Sequence, residues 1–276
     1  MNVHSISCIL CGKDETDVVE EDEPPFRVVR CRHCGLIYVN PQPPQQELAE
    51  HYSKETYYEE WTTVQAKERI SLWNRRLKDV QKYKKTGRLL DIGCGEGTFL
   101  KMAHDKGWEV QGTEISLYAC HYAKEQYGLD VFRGDVKDKK FEEDFFDVVT
   151  VWHVLEHLTD PLATLRGVRR ILKPDGILIL ETPNVNNYLF KAIYFLVKWK
   201  KERFFSLSDK EKHLFHFSTT TLLNVLQKAG FRAIESTLKP VEVSWPKKLI
   251  ENLSLAIFYL TRVNIGQTLR IHAKKN

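Results

Sequence analysis

Short apolar runs, separated by turns and by helix-like stretches, recur along the last two thirds of the chain. The run at 89–92 has the character of a strand buried on both faces, and the residues after Gly97 have the composition of a helix. Further runs of this kind occupy 108–113, 131–136, 146–151, 177–181, 231–238 and 265–273. Strands that alternate with helices predict an α/β fold built around a mostly parallel sheet.

The first predicted strand leads directly into three glycines at alternate positions, Gly93, Gly95 and Gly97. Glycine lets the backbone approach a ligand where a side chain would clash, and a strand, a glycine turn and a helix start form a half-site for a nucleotide-type cofactor. A dinucleotide fingerprint would need glycine where this chain has Thr98. The pattern that remains is D-x-G-x-G-x-G, which begins at Asp91.

This pattern resembles the first motif of the class I S-adenosyl-L-methionine (SAM)-dependent methyltransferases, and the later strands extend the resemblance over roughly residues 64–276. The resemblance implies a Rossmann-like sheet of seven strands, mostly parallel, with the last strand antiparallel. It implies that Asp91 holds the amino end of SAM, that Glu114 holds the ribose hydroxyls and that Asp135 lies beside the adenine. The other predicted cofactor positions lie next to these: Gly93, Cys94, Gly95, Gly97, Ile115, Val136 and Trp152.

Candidate catalytic residues follow the fourth strand. His153, Glu156 and His157 share one face if a helix begins there, just beyond the strand end where ligands gather in open α/β sheets. Three roles are open: a general base, above all His153; bracing of the loop by hydrogen bonds; or a divalent metal site. In ubiquinone-pathway O-methyltransferases the similar segment is Glu-x-x-Glu-His and can hold magnesium. His153 replaces the first glutamate here, and magnesium prefers oxygen ligands.

A second pair of candidates, His213 and His216, lies before a predicted helix for which Ser218 is a suitable N-cap. The segment resembles the one that closes over the acceptor in small-molecule methyltransferases. Each histidine is a candidate to orient or deprotonate the acceptor, with a purely structural role as the alternative.

The N-terminal region contains two Cys-x-x-Cys pairs, formed by Cys8, Cys11, Cys31 and Cys34. This spacing is typical of a four-thiolate zinc site, which leaves no open position on the metal and is therefore structural. We predict a zinc-ribbon-like module over 1–44, closed by the proline-rich 40–44, then a helical lid or linker over 45–85 and a methyltransferase domain over 86–276. Tyrosine and tryptophan residues of the lid are candidates to touch substrate or to pack between the modules: Tyr52, Tyr57, Tyr58 and Trp61.

Residues 187–205 form an insertion that holds seven aromatic and five basic residues against one acid. A basic, aromatic-rich helix can lie in a membrane interface, cover the substrate pocket or form a dimer contact. The stretch 245–262 has a similar character. Because we find neither a secretion signal nor a run of eighteen apolar residues, we expect a cytoplasmic protein, with a peripheral position at the inner membrane face as an alternative.

These patterns predict a SAM-dependent methyltransferase that acts on a small hydroxylated acceptor, with O-methylation favoured. The cysteine pairs and the segment after Gly35 resemble methyltransferases of bacterial surface-glycan pathways, which implies a sugar or a lipid-linked glycan as acceptor. One alternative is an RNA methyltransferase whose zinc module binds RNA. The net charge of +4 is mild, and seven acids at 13–23 would repel phosphate. The other alternative is a non-catalytic binding module of the same fold.

Overall fold

The structure, a computed structural model, describes residues 3–53, 66–199, 203–237, 257 and 264–276. Its strands are β1 (Thr16–Glu23), β2 (Phe26–Cys31), β3 (Ile37–Val39), β4 (Gly87–Ile92), β5 (Trp108–Glu114), β6 (Val131–Arg133), β7 (Phe146–Trp152), β8 (Leu172–Pro183), β9 (Phe215–His216), β10 (Phe231–Thr237) and β11 (Thr268–Lys275). Its helices are α1 (Gln45–Tyr52), α2 (Ala66–Val80), α3 (Thr98–His104), α4 (Leu117–Tyr127), α5 (Pro161–Ile171), α6 (Tyr188–Lys198) and α7 (Thr219–Lys228).

Seven strands form one sheet in the order β10-β11-β8-β7-β4-β5-β6. The strands from β8 to β6 pair in parallel, and β11 runs antiparallel to both of its neighbours. The predicted fold class, a Rossmann-like and mostly parallel sheet with an antiparallel last strand, is confirmed. The chain crosses from one side of β4 to the other between β6 and β7, so a crevice opens at the carboxyl ends of β4 and its neighbours.

Several strands differ from their predicted limits, including β11, which begins at Thr268 and not at the predicted 265. β8 begins at Leu172, ahead of the predicted 177–181, and its pairing with β7 shifts register between Phe146 and Val148. β6 ends at Arg133. The predicted adenine contacts at 135 and 136 therefore lie in the loop after the strand.

Each face of the large sheet carries a core, because successive residues of a strand point to opposite faces. Leu89 belongs to a buried cluster with Phe99 of α3, on one face. Leu90 belongs to the cluster on the other face, which includes Leu222 of α7. This second cluster continues without a break to Phe26 of β2. Helix α7 begins at the predicted N-cap, where the Ser218 side chain accepts from the amide of Thr221.

The N-terminal residues form a second, antiparallel sheet in the order β1-β2-β3-β9. Its fourth strand, β9, comes from the chain just before α7. The module predicted at 1–44 therefore shares its sheet with residues of the predicted methyltransferase domain.

Helix α6, in the predicted insertion, carries large apolar side chains that face solvent, including Tyr188 and Leu196, and Trp199 directly after the helix is 81% exposed. Among the described residues, none of the helices combines the length and the hydrophobicity of a membrane-spanning segment. The lid residues Tyr57, Tyr58 and Trp61, and the stretch 245–262 apart from Ile257, lie outside the described residues.

Candidate active site

The turn between β4 and α3 requires glycine. Positive φ angles occur at all three alternate glycines, Gly93, Gly95 and Gly97. A Cβ on Gly93 would lie 2.4 Å from Cγ2 of Val154, far inside van der Waals contact. The amides of Gly93 and Cys94 donate to the carbonyl of Thr113 at 2.8 and 3.1 Å. These hydrogen bonds fasten the glycine turn to the end of β5.

Asp91 is buried beneath this turn, and its Oδ1 accepts from the hydroxyl of Thr150 at 2.6 Å. Burial raises the pKa of Asp91 to about 7, against the Thr150 hydrogen bond and the positive charge of Arg76. A cationic group beside the carboxyl would favour its charged form. The amino end of SAM is such a group, so the environment of Asp91 fits the role that the sequence predicts.

Glu114, the last residue of β5, is the second buried carboxylate at this edge. Its Oε2 accepts from the amide of Gly95 at 2.9 Å, and its Oε1 accepts from the amide of Ser116 at 2.9 Å. Burial raises the pKa of Glu114, while the amides of Ser116, Gly95 and Ile115 oppose that change. Glu114 therefore clamps the glycine turn, a contact that adds to its predicted role toward the ribose.

The remaining predicted cofactor residues lie at the ends of the next strands. Asp135 accepts from the Thr164 hydroxyl at 2.8 Å, and Val136 beside it is fully buried. Trp152 ends β7, and its ring packs edge-on against Phe99 with centroids 5.8 Å apart. All of these residues lie at or just beyond the carboxyl ends of β4 to β7, and the two buried carboxylates fit the amino and ribose groups of SAM.

His153 follows β7 and lies between two buried carboxylates. Its Nε2 is 3.0 Å from Oε1 of Glu181, and its Nδ1 is 3.3 Å from Oε1 of Glu156. Burial lowers the pKa of His153, but the two carboxylates outweigh burial and raise the pKa to about 9. The imidazole is therefore protonated at neutral pH. A protonated ring cannot accept a proton, so the structure disfavours the base role predicted for His153.

Glu181 is the centre of a buried ionic network that the sequence analysis missed. Its Oε1 accepts from Nη2 of Arg76 at 2.7 Å, and its Oε2 accepts from Nε of Arg270 at 2.6 Å. Arg270 also lies 3.4 Å from Oδ2 of Asp79, and the same oxygen is 3.1 Å from Nε2 of His272. The network ties α2 to β8 and β11 beneath the site.

Arg76 extends this network to the cofactor crevice. Its guanidinium carbon lies 4.7 Å from the ring centroids of both Trp73 and Trp152, a distance typical of cation–π contact. Burial raises the pKa of Glu181, but Arg76, His153 and their neighbours outweigh burial and hold the pKa well below its usual range. The carboxylate is therefore charged at neutral pH.

Glu156 and His157 lie on a single 3₁₀ turn, Leu155–His157, so the α-helix on which the shared face depended does not begin there. Oε2 of Glu156 accepts from the hydroxyl of Thr182 at 2.9 Å. Burial raises the pKa of Glu156, but His153 and other histidines outweigh burial and lower the pKa to about 2. Glu156 is thus a fixed negative charge beside His157.

The hydrogen bonds of His157 determine its tautomer. Nδ1 is 3.0 Å from the carbonyl oxygen of Lys212, which can only accept, so Nδ1 carries the proton and Nε2 the lone pair. Burial lowers the pKa of His157 despite the charge of Glu156, so the ring is neutral at pH 7. The Tyr52 hydroxyl lies 2.9 Å from the same Nδ1 and accepts from the Lys212 amide at 3.0 Å. Tyr52, a candidate for either substrate contact or packing between the modules, therefore packs against His157.

His213 joins this group, whereas His216 lies at its margin. The rings of His213 and His157 have centroids 4.8 Å apart. Burial lowers the pKa of His213, but Glu211 and Glu156 outweigh burial and raise it. Burial and the charge of His213 lower the pKa of His216 to about 3, which makes His216 a poor proton acceptor. It lies in β9.

Glu156, His157 and His213 offer ligand atoms that all lie within 4.8 Å of one another. A carboxylate with two imidazoles suits a transition ion better than magnesium (Mg²⁺), which prefers oxygen ligands. His153 is absent from this group of three. The candidate metal ligands are therefore not the i, i+3, i+4 set that the sequence suggested.

The four predicted zinc ligands lie together in the N-terminal module, with sulfur atoms within 4.8 Å of one another. The Sγ atoms of Cys8 and Cys34, and those of Cys11 and Cys31, are 3.4 Å apart. Zinc–sulfur bonds of about 2.3 Å in a tetrahedron place sulfurs about 3.8 Å apart. The observed cluster is close to that spacing, so the cysteines fit a structural zinc ion.

Comparisons with known proteins identify the family of this chain. The methyltransferase domain family matches residues 64–236. The chain is 31% identical over 185 residues to a ubiquinone biosynthesis O-methyltransferase of Cereibacter sphaeroides, across 63% of this chain and 72% of that protein. It is 26% identical over 205 residues to a demethylmenaquinone methyltransferase of Staphylococcus saprophyticus, across 64% of this chain and 84% of that protein.

Two solved structures have the same fold. A protein from Pyrococcus horikoshii superposes with a TM-score of 0.59 at 19% identity, across 81% of this chain and all of that one. A SAM-dependent methyltransferase from Archaeoglobus fulgidus superposes with a TM-score of 0.53 at 24% identity, across 78% of this chain and 99% of that one. Because the family matches more than half of the chain, the protein belongs to the class I SAM-dependent methyltransferases and is an enzyme of that kind.

Proposed function

We propose that the enzyme methylates a hydroxyl oxygen of a small acceptor and that His157 removes the hydroxyl proton. The tautomer of His157 carries this proposal, because the Lys212 carbonyl holds the proton on Nδ1 and leaves Nε2 able to accept another. Glu156 stabilises the imidazolium that would form, since it stays charged beside His157. His153 lies between Glu156 and Glu181 and already carries a proton at neutral pH, so it is not available as the base.

SAM supplies an electrophilic methyl group attached to a sulfonium. Asp91 and Glu114 hold its amino and ribose groups in the crevice, and this alignment converts a bimolecular displacement into one between fixed partners. The acceptor hydroxyl gives its proton to Nε2 of His157 as its oxygen takes the methyl group. The electrons of the broken methyl–sulfur bond stay on sulfur, which leaves S-adenosylhomocysteine and a protonated His157.

Two acceptor classes have support. One relative is named a ubiquinone biosynthesis O-methyltransferase, which supports a quinone-type hydroxyl, and the other is named a demethylmenaquinone methyltransferase, which supports a quinone-type acceptor without specifying an oxygen. The cysteine module lies outside the family match, and its resemblance to surface-glycan enzymes supports a sugar or a lipid-linked glycan. The exposed aromatic side chains of α6 favour a lipid-linked acceptor reached by peripheral contact with a membrane surface.

The acceptor class is tested with SAM that carries a tritiated methyl group, incubated with the protein and host extract. Lipid, nucleic acid, protein and small polar fractions are then counted separately. Label in the lipid or sugar-nucleotide fraction supports the proposal. Label in RNA alone would overturn it in favour of the RNA-methylating alternative.

The role of His157 is tested by His157→Gln, with His104→Gln as a matched control because His104 is exposed at the end of α3. Loss of a general base lowers kcat by about 10²–10⁴-fold. We expect that loss in the first variant only, with the dissociation constant for S-adenosylhomocysteine unchanged in both. Wild-type kcat in His157→Gln would show that another group removes the proton.

A further inference from the structure

We propose that the four-cysteine module positions the acceptor wall, which we define as residues 203–217, and thereby sets the tautomer of His157. This inference rests on the proposed function, in which Nε2 of His157 takes the proton of the acceptor. The wall includes Lys212, whose carbonyl holds the proton on Nδ1 of His157, and His213, whose ring packs against His157. Its position therefore decides which nitrogen of His157 is able to accept a proton.

The module holds one end of the wall through the strand pair β3–β9. Ile37 and Tyr38 pair with His216 and Phe215, and the amide of Val39 donates to the carbonyl of Leu214 at 2.8 Å. The amide of Leu214 in turn donates to the carbonyl of Glu156 at 2.8 Å. Leu214 thus bridges the module and the 3₁₀ turn that carries Glu156 and His157.

The module holds the other end of the wall through two carboxylates of β1. The side chain of Glu20 accepts from the amides of Phe204 and Phe205 at 3.0 and 3.2 Å. Oε1 of Glu23 accepts from Nη2 of Arg203 at 2.9 Å and from the Ser206 hydroxyl at 2.8 Å. The ring of Phe205, which is buried, packs against Phe26 of β2 with centroids 5.6 Å apart.

The cysteines determine where β3 lies. Cys31 is the last residue of β2, and Cys34 lies in the turn that leads to β3. The amide of Gly35 donates to the carbonyl of Cys31 at 3.0 Å, and the amide of Cys31 donates to the carbonyl of Leu36 at 2.9 Å. A zinc ion on both cysteines would fix this turn, and with it the strand that pairs with β9.

The first cysteine pair is attached to the domain as well. Nζ of Lys228, at the end of α7, donates to the carbonyls of Ile9 and Leu10 at 3.1 and 2.8 Å. Both carbonyls lie between Cys8 and Cys11. The module is thus anchored at both cysteine pairs, and loss of zinc would release β3 and the wall together.

The experiment compares zinc-loaded protein, protein stripped of zinc by a chelator, and the variants Glu20→Ala and Glu21→Ala. Glu21 is the matched control, because it lies on the same strand and pairs only with Arg27 at the surface among the described residues. Hydrogen exchange by mass spectrometry measures protection of 203–217. Long-range proton–nitrogen NMR of ¹⁵N-histidine protein, with His157 assigned from a His157→Gln sample, measures the tautomer at neutral pH. Calorimetry measures S-adenosylhomocysteine binding.

We expect Glu20→Ala to raise exchange at the amides of Phe204 and Phe205 by about tenfold, the effect of losing a hydrogen bond of about 1.4 kcal/mol to a charged acceptor. Stripping zinc should raise exchange across 203–217 and move the His157 proton from Nδ1 toward Nε2, with binding of S-adenosylhomocysteine kept within twofold. Glu21→Ala should match the wild type in every measurement.

Zinc-stripped protein that keeps both the wild-type exchange of 203–217 and the Nδ1–H signature of His157 would overturn the proposal. The same holds if Glu21→Ala has as large an effect as Glu20→Ala. If Glu20→Ala fails to fold, the zinc comparison decides alone, because it uses the wild-type chain. Hydrogen exchange and the His157 tautomer are both measured without an acceptor. If the wild type failed to bind S-adenosylhomocysteine, that would count against the proposed function, while the exchange and tautomer data would still test the role of the module.

Discussion

Arg270 is the residue at which the structure best supports a numerical prediction of the change in unfolding free energy. Replacing it by Met keeps most of the side-chain volume but removes its hydrogen bonds to Glu181 and its ion pair with Asp79. Removing one partner of a buried pair costs about 3–5 kcal/mol. Glu181 keeps Arg76 and His153, so we expect the lower end of that range, about 3 kcal/mol.

The assay is urea unfolding followed by tryptophan fluorescence, with a thermal melt beside it. A loss of about 3 kcal/mol corresponds to a fall in Tm of about 6–12 °C for a domain of this size. Arg88→Met is the control, because Arg88 pairs with Glu109 at 3.2 Å on the surface and both side chains are exposed. An exposed pair contributes about 1 kcal/mol or less. Equal losses in the two variants would refute the view that the buried network stabilises the fold.

Two further predictions concern the cofactor edge. Because burial raises the pKa of Asp91 to about 7 and a bound amino group favours the charged form, S-adenosylhomocysteine binding near pH 6.5 should release a proton. Calorimetry in two buffers of different ionisation heat measures this release, which Asp91→Asn should abolish; equal heats in wild type would contradict the assignment. Gly93→Ala should lower the free energy of unfolding, measured by urea titration, by at least about 2 kcal/mol more than the control Gly128→Ala. Both glycines have a positive φ, but only at Gly93 would an added Cβ meet a neighbouring side chain, that of Val154. Similar losses would show that the Val154 side chain moves aside.

The sheet and its cofactor edge were predictable because their signals are local. Buried parallel strands are nearly continuous apolar runs, and the glycine turn needs a fixed spacing after Asp91. The four cysteines were equally predictable, since paired ligands with two residues between them bend the chain around one ion. In each case the residues that carry the signal are close together in sequence.

The partners of His153 could not be predicted in this way. Glu181 reaches His153 because β7 and β8 are neighbours, with Trp152 opposite Glu181 in the register. A sequence shows each strand but not this pairing. Arg76 and Arg270 are charged residues, which are rarely buried, and only the assembled sheet shows that they balance Glu181 and Asp79.

Strand β9 was missed for a related reason. Phe215–His216 is a strand of two residues, too short for any alternation of polar and apolar positions. Its partner β3 is far away in the sequence, so nothing near His216 indicates the pairing. The role of residues 203–217 as a wall held by the module follows only from the folded chain.

The position of β11 has a consequence for synthesis of the protein on the ribosome. This strand is made after every other strand of the large sheet, yet it inserts between β8 and β10 and brings Arg270 to Glu181. Until it emerges, β8 presents an unpaired edge and β10 has no neighbour through which to join the sheet. Nascent chains that lack β11 therefore expose an edge open to aggregation, and the enzyme depends on its last strand to complete folding.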